Sequence, residues 1–291
     1  MRESVHKTVL LNETIDGLNL RDDSIVLDAT FGGGGHSKEI LKRYPKVKII
    51  ALDQDESVFE NFKDPRIIFV NENFRNLDKA LDGQKINGVI FDLGLSSDQL
   101  ENSGRGFSFM KDEPLLMTMK ANPSPEDTTA LDIVNSWDEK NLADIIYGYG
   151  EERFSRRIAK GMREARKRGE IKSTRELVKI IEESVPMAYR RGKLHFATRT
   201  FQALRIAVND ELGALKEGLE KGFEALKDGG RMSVISFHSL EDRVVKNFYR
   251  EKAKEKKAIL INKKPIVPGE EETRENPRAR SAKLRVLEKT I

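Results

Sequence analysis

Val26-Leu27-Asp28-Ala29-Thr30-Phe31-Gly32-Gly33-Gly34-Gly35-His36-Ser37 joins an apolar run, an acid, four consecutive glycines and a segment suited to a helix. Glycines at a strand-to-helix turn let the backbone approach a ligand closely, where a Cβ atom would collide with it. The first turn of the following helix offers free N–H groups to the same ligand. The stretch therefore predicts a nucleotide-type cofactor pocket between a strand and a helix.

The segments that follow alternate between short apolar runs and helical patterns. We predict strands at 25–30, 48–53, 66–71 and 88–93, and helices between them at 37–43, 55–62 and 76–82. This alternation implies right-handed crossovers and a parallel sheet covered on both faces. Beyond residue 125 only helices are predicted, at 126–136, 138–148, 151–168 and 174–185. Asp138 and Ser173 are expected as N-caps, the latter with Glu176 in a capping box.

Strands return late in the chain. A long helix from Thr198 to about residue 227 is expected to stop at Gly229-Gly230, followed by a helix at 239–256 and strands at 231–237, 259–267 and 283–290. The simplest arrangement is one α/β domain, 1–109 and 196–291, split by a helical insertion, 110–195. An insertion that leaves after the fourth strand would lie over the crevice where open α/β sheets bind ligands. We expect it to recognise the substrate.

Composition narrows the class of protein. With 38% hydrophobic and 34% charged residues, the 291-residue chain fits a globular protein with a large core. No apolar run approaches the roughly 20 residues of a membrane span, and the N-terminus lacks a signal-peptide core. The absence of cysteine excludes disulfides, zinc thiolate sites and cysteine nucleophiles. No histidine shows metal-ligand spacing. We expect a cytoplasmic protein with no metal and no membrane partner.

Charge is distributed unevenly, although the net charge is only +4. Lysine and arginine concentrate at 153–168, 190–205 and 274–285. Each cluster alone is equally well explained as a solvated helix face. Together, the three clusters favour a polyanionic partner, most simply nucleic acid.

Two cofactor types compete for the glycine turn. A dinucleotide fingerprint needs G-x-G-x-x-G, but its third glycine would fall on Ser37 or Lys38, so the match fails. An S-adenosylmethionine pocket asks for an acid at the strand end, a glycine turn and a second acid closing the next strand. Asp28 and Asp53 supply these acids, and Asp53 is placed to accept hydrogen bonds from ribose hydroxyls. The combination favours a methyltransferase.

Eight motifs in order carry a resemblance to a known family. They are HKTVLLNE (6–13), LDATFGGGGHS (27–37), DLGLSSDQL (92–100), GRGFSF (104–109), YGEERFSRRIA (149–159), HFATRTFQALR (195–205), SFHSLEDR (236–243) and NPRARS (276–281). The chain thus resembles the bacterial 16S ribosomal RNA (cytosine-N4)-methyltransferases over nearly its whole length. The resemblance implies an enzyme that transfers a methyl group from S-adenosylmethionine to the N4 amine of a cytidine in the small ribosomal subunit.

The same resemblance implies a class I methyltransferase fold, a mostly parallel twisted sheet with an inserted all-helical domain. By motif position it assigns the cofactor to Gly34, Gly35, His36, Asp53, Phe74, Asp92 and Gln99. Phe74 would stack on the adenine ring. One segment departs from the family pattern, because Leu116, Thr118 and Lys120 replace two acids and an arginine. Contacts made by those charges in relatives must be absent or remade here.

The mechanism needs a group that accepts a proton from the amine, because the N4 lone pair is delocalised into the ring. Asp92 is the best candidate for this catalytic role, but it could instead hold the cofactor. The usual prolines and aromatic residue of an amine methyltransferase motif do not follow it. His238 could serve as a base, or it could simply order the turn at 236–241. His36 and His195 have comparable alternatives, namely contact with the cofactor and packing under the insertion.

Two other functions stay open at this point. The chain could be a non-catalytic RNA-binding or ribosome-assembly factor on a methyltransferase scaffold, which the intact glycine turn, Asp53 and Asp92 disfavour. It could also be a methyltransferase for protein or DNA, which the ordered motifs disfavour.

Overall fold

The computed structural model describes residues 7–60 and 62–290. The chain divides into two compact units, and the helical one, Ser97–Glu211, interrupts the other, which comprises residues up to Ser96 and from Leu212 onward. The predicted insertion boundaries, 110 and 195, fall inside the helical unit. The unit is wider than predicted because its flanking segments bond within it. The Arg105 guanidinium donates to the carbonyl oxygen of Met119 at 2.9 Å.

The first unit is built on a seven-stranded sheet with the order β3-β2-β1-β4-β5-β7-β6. The strands are β1 (Ile25–Asp28), β2 (Lys48–Asp53), β3 (Ile67–Asn71), β4 (Ile86–Asp92), β5 (Leu226–Ser236), β6 (Ala258–Leu260) and β7 (Lys283–Lys289). Neighbours from β3 to β5 are parallel, and β7 is antiparallel to both β5 and β6. This confirms the predicted mostly parallel sheet.

Helices occupy both units. They are α1 (Leu11–Leu18), α2 (Gly35–Arg43), α3 (Leu77–Leu81), α4 (Ser97–Asn102), α5 (Ala130–Ser136), α6 (Glu139–Gly150), α7 (Ser155–Arg166), α8 (Thr174–Ser184), α9 (Met187–Arg190), α10 (Thr198–Asn209), α11 (Glu211–Ala225), α12 (Ser239–Lys254) and α13 (Glu270–Glu275). Short 3₁₀ helices lie at Glu56–Phe59, Phe74–Asn76 and Pro277–Ser281. Among the described residues, no helix combines the length and apolar character that crossing a membrane requires.

The core of the first unit lies on both faces of the sheet. Alternate residues of a strand point to opposite faces, so β1 sends Leu27 to one buried cluster and Val26 to the other. In the same way β4 sends Phe91 to one side and Ile90 to the other. Strands buried on both faces read as continuous apolar runs, which is why the sequence located them.

The helical unit packs around α6. This helix lies against both α7 and α10, and α7 packs in turn on α8. The predicted N-caps are confirmed: Asp138 accepts a hydrogen bond from the backbone of Asn141, and Ser173 and Glu176 form a complete capping box. These caps fix where α6 and α8 begin.

The predicted helix over 198–227 is wrong. It is two helices, α10 and α11, separated by Asp210 in a left-handed conformation with φ of 45°. The helical part ends at Ala225 rather than at Gly229-Gly230, and β5 already begins at Leu226. Gly229, with φ of 74°, instead lies where the register of β5 against β4 shifts. The predicted strand 259–267 is likewise shorter, because only Ala258–Leu260 pairs continuously with β7.

Candidate active site

Three acids stand at the carboxyl ends of adjacent strands. Asp28 ends β1, Asp53 ends β2 and Asp92 ends β4, and β1 lies between the other two strands. The chain order runs outward from β1 to β3 on one side and resumes with β4 on the other. Ligands of open α/β sheets bind at such a switch point, outside the carboxyl ends of the strands. The acids therefore surround the expected ligand crevice.

The glycine turn between β1 and α2 has no room for side chains at two positions. Gly34 adopts φ of +68°, and a Cβ there would lie 2.6 Å from the Phe31 ring. A Cβ on Gly35, the first residue of α2, would lie 1.7 Å from the Thr8 hydroxyl. Packing against Phe31 and Thr8 therefore requires glycine at both positions, and the turn carries no side chain there.

Asp28 holds the turn together. Its carboxylate accepts a hydrogen bond from the Ser37 hydroxyl at 2.6 Å and another from the backbone N–H of Thr30 at 3.3 Å. Burial raises the pKa of the Asp28 carboxyl to about 6, against the opposing effect of the Ser37 hydrogen bond. Because the side chain is buried and bonded within its own turn, its role is to tie β1 to α2.

Asp53 connects the ends of β1 and β2. It accepts hydrogen bonds from the backbone N–H of Gly32 at 2.8 Å and of Asp55 at 3.0 Å. Burial raises the pKa of its carboxyl above the usual range. The side chain keeps part of its surface exposed, and a carboxylate has about four acceptor positions. It can still accept hydrogen bonds from a ligand hydroxyl.

Phe74 begins the 3₁₀ helix after β3, where the Asn73 side chain caps the backbone. Its ring meets Phe91 edge to face, with centroids 5.6 Å apart and planes at 90°. The ring is only partly buried. It therefore packs on the core and still offers surface to a planar group.

Asp92 combines burial with an unfilled acceptor. Its backbone N–H donates to the Thr30 hydroxyl at 2.6 Å, and its Oδ2 lies 3.7 Å from Nδ1 of His36. Its Oδ1 is buried and has no hydrogen-bond partner among the described residues. Burial, followed by the charges of Asp28 and Glu241, raises the pKa of the Asp92 carboxyl to about 8. The carboxyl is therefore mostly protonated at neutral pH.

His238 orders the start of α12. Its Nδ1 accepts a hydrogen bond from the backbone of Glu241 at 3.3 Å, and the Glu241 carboxylate accepts one from the backbone of His238 at 3.2 Å. This reciprocal capping box favours the turn-ordering interpretation over the base. His195 lies in the helical unit, where its ring stacks on Phe109 and Phe196 at centroid distances of 4.5 and 4.2 Å.

The first unit thus brings together all but one of the expected site residues, namely Gly34, Gly35, His36, Asp53, Phe74 and Asp92. Gln99 lies on α4 of the helical unit. Sequence reasoning missed Thr30 and Glu241 as neighbours that shape Asp92. Their position within the motifs at 27–37 and 236–243 was the available signal.

The basic clusters differ in how many of their charges are paired. At 190–205, Arg205 forms two hydrogen bonds with Glu211, at 2.7 and 2.9 Å. In the tail cluster, Lys283 and Arg285 both pair with Asp242. On α7, by contrast, Arg156, Arg157 and Lys160 are exposed and pair with no carboxylate among the described residues. The first half of α7 therefore carries three exposed cations without a carboxylate partner among the described residues.

The segment that departs from the family pattern makes its bonds within the helical unit. Lys120 pairs with Asp127 at 2.6 Å, and the buried Thr118 hydroxyl accepts a hydrogen bond from the backbone of Lys120 at 3.3 Å. The Leu116 carbonyl receives the backbone N–H of Ala130 at 3.0 Å. These three positions therefore make local contacts without the charges of the family pattern.

Comparison with known proteins gives consistent matches. The model of the MraW methylase family matches residues 3–290. A curated relative from Clostridium botulinum (strain Kyoto / Type A2), named ribosomal RNA small subunit methyltransferase H, is 46% identical, and the alignment covers 99% of each chain. A relative of the same name from Brevibacillus brevis is 45% identical over 98% of each. A solved rRNA methylase from Streptococcus thermophilus is 14% identical with a TM-score of 0.46, covering 98% of each chain.

Proposed function

Because the chain belongs to the MraW methylase family, we propose that it transfers a methyl group from S-adenosylmethionine to the N4 amine of a cytidine in 16S ribosomal RNA. Family membership confirms the resemblance read from the eight motifs. Relatives at 45–46% identity carry the name of a small-subunit ribosomal RNA methyltransferase. The single observation that carries the site assignment is the unfilled, buried Oδ1 of Asp92 beside the bare glycine turn.

The residues around the crevice fit the methyl donor. At Gly34 and Gly35 the Phe31 ring and the Thr8 hydroxyl already occupy the space of a Cβ atom, so the turn presents backbone and no side chain. The Asp53 carboxylate is available to a pair of ribose hydroxyls, and the partly exposed ring of Phe74 is available to the adenine. His36, buried at the start of α2, completes the wall beside Asp92. When bound, S-adenosylmethionine supplies a methyl group on a cationic sulfur, which is open to in-line attack.

Asp92 is assigned the catalytic role of accepting the amine proton at Oδ1. In the free protein its carboxyl is mostly protonated at neutral pH, since its pKa is about 8. Asp92 becomes a carboxylate when a cation is bound beside it, because an opposite charge lowers the pKa of a carboxyl group. The acceptor would therefore become available once the donor is in place.

The polyanionic partner is the ribosomal RNA of the small subunit. The open cations on α7, Arg156, Arg157 and Lys160, support a role for the helical unit in holding that RNA. We assign substrate recognition to this unit and chemistry to the sheet unit. An RNA substrate of this kind implies a cytoplasmic location.

Transfer of tritium from labelled S-adenosylmethionine to small subunits tests the proposal. We expect label in N4-methylcytidine after nuclease digestion and chromatography of the nucleosides. Label in another nucleoside would contradict the N4 assignment. Binding of RNA without any methyl transfer would instead support a non-catalytic assembly factor. Transfer only to protein or DNA would contradict the assignment of RNA as the substrate.

A further inference from the structure

The turn from α6 into α7 gathers two aromatic rings and two arginines on the helical unit. Phe154 and Tyr189 meet edge to face, with centroids 5.0 Å apart and planes at 72°. The guanidinium carbon of Arg153 lies 4.8 Å from the centroid of Phe154 and 5.1 Å from that of Tyr189. Arg157 approaches the Phe154 ring at 5.8 Å. Both arginines are exposed, whereas the rings are half-buried.

A buried carboxylate, that of Glu152, holds this cluster by hydrogen bonds. Glu152 is fully buried, and its carboxylate accepts the Tyr189 hydroxyl at 2.5 Å and the backbone N–H of Phe154 at 2.8 Å. One carboxylate therefore holds both the Tyr189 ring, through its hydroxyl, and the backbone that carries Phe154. An arginine stacked on fixed rings loses less freedom when it binds a ligand, because its plane is already oriented.

The positive charges of this cluster are not neutralised by nearby acids among the described residues. Arg153 and Arg157 pair with no carboxylate among the described residues. Farther along α7 the situation changes, since Arg163 pairs with Glu139 and Glu164, and Lys167 pairs with Glu164 as well. Arg153 and Arg157 thus lie over aromatic rings and have no carboxylate partner among the described residues, which combines a planar surface with a site for an anion.

We infer that Arg153, Arg157, Phe154 and Tyr189 form a platform that binds an unpaired nucleotide of the RNA substrate. The base stacks on the outer plane of Arg153, and the phosphate binds the N–H groups of the two arginines. This inference rests on the proposed function and specifies its partner as single-stranded RNA. In a duplex the bases are already stacked on each other and cannot reach such a surface.

The test compares two oligoribonucleotides of equal charge by fluorescence anisotropy. One is a fluorescein-labelled single strand of about ten nucleotides, and the other is the same strand with abasic sites in its centre. For the intact protein we expect about tenfold tighter binding of the strand that keeps its bases, the order expected for one stacked base. Arg153→Ala and Arg153→Lys should both reduce this ratio toward one, since lysine restores the charge but not the plane.

Arg156→Ala is the matched control, because Arg156 is a nearby exposed arginine in the first turn of α7 with no ring contact among the described residues. This variant should bind both oligonucleotides more weakly by the same factor, so the ratio of the two affinities should stay unchanged. Equal ratios for the Arg153 and Arg156 variants would overturn the platform, as would equal binding of a duplex or of poly-glutamate by the intact protein. If the intact protein fails to methylate small subunits, the proposed function fails instead; a ratio of one in a protein that does methylate them overturns the platform alone.

Discussion

Oδ2 of Asp92 lies 3.7 Å from Nδ1 of the buried His36, while Oδ1 of the same carboxyl group has no hydrogen-bond partner among the described residues. One side chain therefore has an oxygen directed toward the wall of the crevice and another that is buried without a donor. A buried acceptor without a hydrogen bond costs free energy. A group that donates to Oδ1 on binding therefore removes that cost. The N4 amine is such a donor.

Asp92→Asn should reduce the single-turnover rate by about 10²- to 10⁴-fold, because an amide cannot take up the amine proton. Cofactor affinity should change only a few-fold. The measurement is the rate at saturating S-adenosylmethionine and small subunits. A rate within a few-fold of that of the intact protein, together with weaker cofactor binding, would assign Asp92 to cofactor binding. His238 would then be the next candidate for the proton acceptor.

The same substitution should stabilise the protein in alkaline solution. The folded state holds the Asp92 proton up to about pH 8, whereas an unfolded aspartate loses it near pH 4. The native form therefore binds more protons between these values, and its stability falls as the pH rises through that window. Asp92→Asn removes this loss, so its Tm should exceed that of the intact protein at pH 8.5 and less so at pH 5. Scanning calorimetry at the two pH values measures the difference.

Cofactor binding should release protons. Because a bound cation favours the ionised form of Asp92, affinity for S-adenosylmethionine should rise as the pH increases from about 6.5 to about 8. Titration calorimetry in two buffers of different ionisation enthalpy gives the number of protons released. Asp92→Asn should flatten the rise, leaving the smaller contribution of Asp28 at lower pH. An unchanged profile in that variant would contradict the assignment.

Asp53→Asn should weaken S-adenosylmethionine binding roughly ten- to hundredfold, since hydrogen bonds to a charged acceptor contribute about 1.5–3 kcal/mol. Asparagine keeps one acceptor oxygen for the backbone N–H of Gly32 and loses the one bonded by Asp55, so the turn should keep part of its bonding. Titration calorimetry measures the affinity, and the exposed Asp23→Asn is the control. Unchanged affinity in a folded variant would exclude Asp53 from the ribose site.

Gly35→Ala should lower the Tm, because its Cβ would lie 1.7 Å from the Thr8 hydroxyl. Overpacking of this kind costs typically about 1–3 kcal/mol. Thr8→Gly removes the obstructing atoms, so the double variant should regain part of the lost stability. Simple additivity of the two changes in a double-mutant cycle would show that this contact is not what excludes a side chain.

Replacing Arg156, Arg157 and Lys160 together with alanine should weaken RNA binding and flatten its salt dependence. Each lost phosphate contact on a single strand removes about 0.7 from the slope of log K against log salt. Affinity for S-adenosylmethionine should not change. An unaltered slope would reduce these residues to a solvated helix face.

The sheet could be predicted from the sequence, whereas the break in the long helix could not. Strands such as β2 and β4 are continuous apolar runs that end in an acid, a pattern set by burial on both faces. The separation of α10 from α11 occurs at Asn209-Asp210, which contains neither glycine nor proline. Asparagine and aspartate adopt the left-handed conformation occasionally, so their presence alone does not predict a break.

The identity of the site residues could be predicted from the sequence, but the environment of their side chains could not. The residue types at the turn and strand ends were visible as Gly34, Asp53 and Asp92. The raised pKa of Asp92 depends first on how deeply the fold buries the carboxyl, and then on the charges of Asp28 and of Glu241, nearly 150 positions away. Charge coupling between distant segments exists only once the chain has folded.

The position of β7 between β5 and β6 bears on how the protein is made. Strands β1 to β4 emerge from the ribosome early and can pair with one another, but β7, residues 283–289, is synthesised after β5 and β6. Until they arrive, the outer edge of β5 stays open, and unpaired strand edges are sites of aggregation during folding. A newly made copy of this enzyme would therefore depend on rapid completion of translation, or on a chaperone, to close its sheet.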